Sequence, residues 1–163
     1  MNWAYMHLVL NHFPIVGVII GVLLLIAGLL VKNQGIQISG LGTVLFAAIM
    51  SVVAYLTGEP AENVLKSLPD IPLNLIGRHE DIATIGMYIL ITTGLVSGLA
   101  LYSVWKKEKS TRFLVIITLV LSLISSIAVI YIGRTGGEIR HSEFRSDKAW
   151  QINNAPQIES DED

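Results

Sequence analysis

The stretch Leu8-Val9-Leu10-Asn11-His12-Phe13-Pro14-Ile15-Val16-Gly17-Val18-Ile19-Ile20-Gly21-Val22-Leu23-Leu24-Leu25-Ile26-Ala27-Gly28-Leu29-Leu30-Val31 contains no Asp, Glu, Lys or Arg. Crossing the hydrocarbon core of a bilayer takes about 20 mostly apolar helical residues. This run of charge-free residues is long enough to do so. Three comparable runs follow, at about residues 36–57, 82–105 and 113–132, and none has a charged residue in its interior. The expected architecture is therefore all-α, an integral membrane four-helix bundle.

Composition agrees. Apolar residues make up 52% of the chain and charged residues 15%, against about a quarter charged in an ordinary soluble domain. The formal net charge of −2 gives no reason to expect a nucleic-acid partner. Cysteine is absent, which excludes disulfides, thiolate metal sites, iron–sulfur clusters and c-type haem attachment. Any cofactor must be held by His, carboxylate, Met or backbone. The N-terminus has no basic region and its apolar run is too long for a cleavable signal peptide, so none is expected.

Lys32-Asn33-Gln34-Gly35 and Lys106–Arg112 are short turns, so the runs should pair as two antiparallel hairpins. Both turns are basic, carrying Lys32 and then Lys106, Lys107, Lys109 and Arg112. The opposite side holds Glu59, Glu62, Asp70, Glu80, Asp81, Glu138 and the acidic tail. The positive-inside rule places the turns in the cytoplasm and both termini outside. Tyr102 and Trp105 would line the inner interface, and Trp3, Tyr5, Tyr55 and Tyr131 the outer one. The outer loop, residues 58–81, contains Glu59-Pro60-Ala61-Glu62-Asn63-Val64-Leu65. It reads as a short amphipathic helix with proline in its first turn. Residues 1–143 form the membrane domain, and the polar tail 144–163 is expected to be disordered. Gly17/Gly21 and Gly94/Gly98 are small-x-x-x-small patterns that suit close helix packing.

With four spans, alternate helix ends meet on one side. His12 opens the first span and His79 precedes the third, while Glu59 follows the second and His141 the fourth. His7 lies at the same level, and the chain has no histidine elsewhere. Ionisable groups at the membrane level of a bundle are functional candidates by default. Residues five apart on a helix point about 140° from each other. His7 and His12 therefore cannot both face inward from one regular helix, although Pro14 can kink it. By position His12 is the better ligand, because it is nearer the bundle.

Two imidazoles from different helices, such as His12 and His79, can clamp a b-type haem, with His7 and His141 as a second pair if two haems are present. Arg78, Arg134 or Arg140 would then pair with the propionates. Alternatively His12, His79 and His141 with Glu59, Glu62 or Glu80 suit a Zn, Cu or Fe ion. Glu59 and Glu62 share a helix face, although acids also belong at a helix N-terminus for the dipole alone. Gly133-Arg134-Thr135-Gly136-Gly137 reads as the C-terminal stop of the last helix.

His7-Leu8-Val9-Leu10-Asn11-His12-Phe13-Pro14 resembles the opening signature of the DUF2231 family of small four-span bacterial membrane proteins. Thr57-Gly58, His79 and Gly136-Gly137 followed by His141 match the rest of that family's pattern. The resemblance implies a bacterial inner-membrane protein and a shared cofactor site at the four histidines. It also implies association with Rieske-type or cytochrome c-type redox proteins. The expectation is a cytochrome b-like electron-transfer subunit rather than an enzyme on its own. It would have haem b at the periplasmic end and a periplasmic carrier or larger membrane complex as partner. The alternatives are a non-haem metal-binding protein and a cofactor-free scaffold subunit. No nucleophile elbow, zincin motif or phosphate loop is present, and no charged residue marks a transport pathway within the spans.

Overall fold

The computed structural model describes residues 2–68 and 71–141. Six helices follow in order: α1 (Trp3–Leu10), α2 (His12–Leu30), α3 (Gln34–Leu56), α4 (Gly58–Lys66), α5 (Leu73–Lys106) and α6 (Thr111–Arg140). α1 runs into α2 with a break at Asn11, and α3 into α4 with a break at Thr57. The result is four rods, each long and apolar enough to cross a membrane. The acidic tail, residues 144–163, lies outside the described residues.

Local chemistry explains the breaks and starts. Pro14 has no N–H to give to the carbonyl of Leu10, and its ring crowds that carbonyl, so the first rod divides just there. The Asn2 side chain accepts from the N–H of Ala4, and that of Asn33 from the N–H of Ile36. Both are N-caps that satisfy otherwise orphaned amides.

α2 packs on α3, α3 on α5, α5 on α6, and α6 closes back on α2. α2 and α5 therefore stand on one diagonal of the square, and α3 and α6 on the other. Leu25, Leu41, Val44, Ala100 and Val115 fill the half near the two turns. Val18, Ala47, Leu90 and Val129 fill the half near the histidines. In lipid there is little hydrophobic drive between helices, so close packing and hydrogen bonds hold the bundle. Small residues provide the packing: a Cβ on Gly28 would fall 2.8 Å from the backbone N of Gln37, and one on Gly17 would fall 3.0 Å from the Cβ of Ala47. Gly94 lies against Ala48, whereas Gly98 faces open space. Buried hydroxyls supply the bonds. Ser97 donates to the carbonyl of Leu41 at 2.7 Å, tying α5 to α3, and Thr93 and Ser125 meet at 2.9 Å between α5 and α6.

The two hairpins are built to one plan. At the foot of the first, Lys32 adopts φ 53° and the N–H of Asn33 reaches the carbonyl of Gly28 at 3.0 Å. At the foot of the second, Lys107 adopts φ 57° and the N–H of Glu108 reaches the carbonyl of Ser103 at 3.0 Å. These are matching Schellman closures, and a left-handed L residue costs about 1–2 kcal/mol in each. In both halves the turn lysine falls midway between a histidine (His7, His79) and a Thr-Gly pair (Thr57-Gly58, Thr135-Gly136). The packing order has the same two-fold character, since exchanging the hairpins maps the α3–α5 contact onto α6–α2.

Two elements run further than expected. α5 begins at Leu73 rather than near residue 82, so His79 lies inside a helix instead of ahead of it. α6 continues through Gly133, Gly136 and Gly137 to Arg140, so the glycine pair is not a stop. None of these glycines has a positive φ. Gly136 serves close approach, to the ring of His79, whereas a Cβ on Gly137 would meet nothing within 4 Å.

Candidate functional site

His7 and His79 are held alike. Nδ1 of His7 lies 3.0 Å from the carbonyl oxygen of Ala54 and 3.1 Å from the hydroxyl of Thr57, and that hydroxyl donates to the Ala54 carbonyl at 2.8 Å. Nδ1 of His79 lies 3.0 Å from the hydroxyl of Thr135, which donates to the carbonyl of Ile132 at 2.9 Å. A carbonyl only accepts, and each threonine proton is already committed to one, so the proton between ring and helix belongs to Nδ1 in both cases. Among the described residues the rings bond through Nδ1, which leaves Nε2 with an available lone pair. A histidine that ligates a metal or haem iron is commonly fixed in this way.

The glycine after Thr135 admits the ring of His79, whereas at Gly58 a side chain would be in ordinary contact with the ring of His7. A Cβ on Gly136 would fall 3.1 Å from Cε1 of His79, and one on Gly58 would fall 3.7 Å from Cε1 of His7. His7 and His79 project from diagonally opposite rods and are both half-buried. One turn along the helix from His7, on the same face, the side-chain oxygen of Asn11 is buried with no hydrogen-bond partner among the described residues. Such an orphan costs about 1–3 kcal/mol.

The other candidates are elsewhere. His12, the better ligand by position, is exposed and turned outward, with Nδ1 2.6 Å from the carbonyl of Leu8. The break at Asn11 leaves His7 facing inward and His12 outward. His141 is exposed at the end of α6. Glu62 pairs with Lys66 at 2.6 Å, Glu80 is exposed, and Glu59 lines an open groove with Trp3, Pro60 and Asn63. Among the described residues, no three of His, Asp and Glu converge as a metal site would require.

Glu138, which the sequence shows only as one more outer acid, organises the rim. Its carboxylate, 12% exposed, lies 3.2 Å from Nε of Arg134 and 4.0 Å from Nη1 of Arg78. Arg78 also donates to the hydroxyl of Tyr131 at 2.9 Å. Arg140 is exposed two residues beyond Glu138. Asn11 and Thr135 were likewise unmarked by sequence alone. The matching Thr-Gly pairs were the available signal.

Four membrane-length helices joined by two tight turns, with a polar cluster at the end away from those turns, define a four-span membrane protein. The chain belongs to the family described as predicted membrane protein DUF2231, whose model matches residues 5–143 and so takes in all four histidines. No curated protein and no solved structure matches it.

Proposed function

We propose that this protein is a cytochrome b-like electron-transfer protein in which His7 and His79 ligate one haem b. The observation that carries this reading is the matched pair of imidazoles, each with Nδ1–H tied back to a helix and Nε2 left to ligate. Ligand count favours haem over a bare ion. A structural zinc needs four protein ligands and a catalytic one three, whereas haem iron takes four nitrogens from its own ring and two from the protein. The two-fold plan of the hairpins supports this reading, because it supplies two equivalently held imidazoles, His7 and His79, that would hold the iron. The orphaned oxygen of Asn11 adds a polar group awaiting a partner at the same place.

Bound haem would supply one-electron chemistry. The chain's own residues would supply the rest. Ala54, Thr57 and Thr135 hold the ring tautomers, and Gly136 gives the His79 ring room. Arg78 and Arg134 form a cationic rim that Glu138 keeps ordered. Placement of that rim on the periplasmic side of a bacterial inner membrane, facing a cytochrome c-type or Rieske-type carrier, rests on the basic hairpin turns and the family resemblance.

Protein purified in mild detergent from a haem-replete host tests this. The expected result is a red protein with a sharp reduced-state visible band and about one iron per chain. A colourless protein that takes up no haemin would overturn it. Stoichiometric zinc or copper instead would mark a metal-ion site, and absence of both would leave a scaffold.

A further inference from the structure

The chain has 14 glycines, yet among the described residues none occupies a positive φ. The two left-handed positions are both lysines, Lys32 and Lys107, one at the foot of each hairpin. Glycine is the residue that fits this conformation without strain, and the chain uses it freely elsewhere. Lysine at both equivalent positions keeps a cation at the foot of each hairpin at a backbone cost that glycine would avoid.

The surroundings point to a use for these cations. Lys106 lies 4.4 Å above the ring of Trp105 and 5.8 Å from that of Tyr102, and both aromatic side chains are exposed at the bundle's edge. Aromatic belts of this kind sit at head-group level. Lys32, Lys106, Lys107, Lys109 and Arg112 are all exposed, and among the described residues none forms an ion pair. Glu108, the one acid in the two turns, accepts a hydrogen bond from Ser110 at 3.1 Å. The second turn thus places four cations, and the first turn one, at the level of the lipid phosphates, and anionic lipids attract such charges.

We propose that each hairpin turn binds the phosphate of an anionic lipid head group, with Lys32 and Lys107 as the contact residues. Lys32 and Lys107 occupy equivalent backbone positions, and the second turn adds Lys106, Lys109 and Arg112. The two sites are independent of any cofactor at the opposite end.

The test compares wild type with the double variant Lys32→Gly/Lys107→Gly in nanodiscs. One set contains phosphatidylcholine alone, and the other phosphatidylcholine with phosphatidylglycerol. Wild type should show a higher Tm in the anionic discs, and that rise should shrink at high salt. The double variant should lose most of the rise while its Tm in phosphatidylcholine stays equal or increases, because glycine relieves the backbone. Lys32→Asn/Lys107→Asn, which tolerates the same φ, should behave likewise. A full lipid-dependent rise in the variants would overturn the proposal. So would equal destabilisation in both lipids, no rise in wild type, or an equal rise on adding inorganic phosphate to phosphatidylcholine discs.

Discussion

Nδ1 of His79 stands 3.0 Å from the hydroxyl of Thr135, and Nδ1 of His7 stands 3.1 Å from the hydroxyl of Thr57. In each pair the threonine hydroxyl donates its hydrogen bond to a carbonyl three residues back. The ring is therefore oriented and its tautomer chosen before any ligand arrives.

Thr135→Val removes the oxygen that fixes His79. Outer-shell partners of this kind are worth about 10–100-fold in metal affinity, and haemin titration should show a loss in that range with helicity unchanged. Thr135→Ser should restore binding. Thr57→Val should cost less, because the Ala54 carbonyl still accepts from His7 at 3.0 Å. Unchanged haemin affinity in Thr135→Val would contradict the role given to the hydroxyl.

Asn11→Leu separates stability from ligand binding. Its side-chain oxygen is buried without a partner, so an apolar replacement of similar size should raise ligand-free stability by up to about 1–3 kcal/mol. Haem retention should fall in the same variant. A parallel loss of both would mean the asparagine is merely structural.

Gly28→Ala forces α2 away from α3, because the new Cβ would meet the Gln37 backbone at 2.8 Å. A cost of about 1–3 kcal/mol is expected in denaturant unfolding. Gly98→Ala meets nothing within 4 Å and should be neutral or gain up to about 1 kcal/mol from helix propensity. Equal effects at the two sites would argue against the packing described.

Much of the fold was legible because lipid leaves few options: charge-free runs of bilayer length must be helices, and short turns must make hairpins. The small helix after Thr57 was equally plain from Glu59-Pro60 and the apolar spacing that follows. The glycines of α6 misled, because Gly136 serves the edge of His79 rather than a helix end. The site was half legible. Alternate helix ends brought the histidines to one level, but rotation about the helix axis decides which of His7 and His12 faces inward. That rotation depends on the break before Pro14, which spacing alone does not fix. The repeated His–Lys–Thr-Gly plan was hidden because the two halves share few residues beyond those the geometry needs.

The proposed site joins two imidazoles, those of His7 and His79. The direct measurement is the reduced-minus-oxidised visible spectrum of wild type beside His7→Ala, His79→Ala and His12→Ala, each purified in parallel with its iron content. The account predicts a haem b spectrum in wild type, its loss or conversion in His7→Ala and His79→Ala, and its persistence in His12→Ala. Loss on changing His12 while His7→Ala keeps its spectrum, or no haem in any of the four, would contradict it.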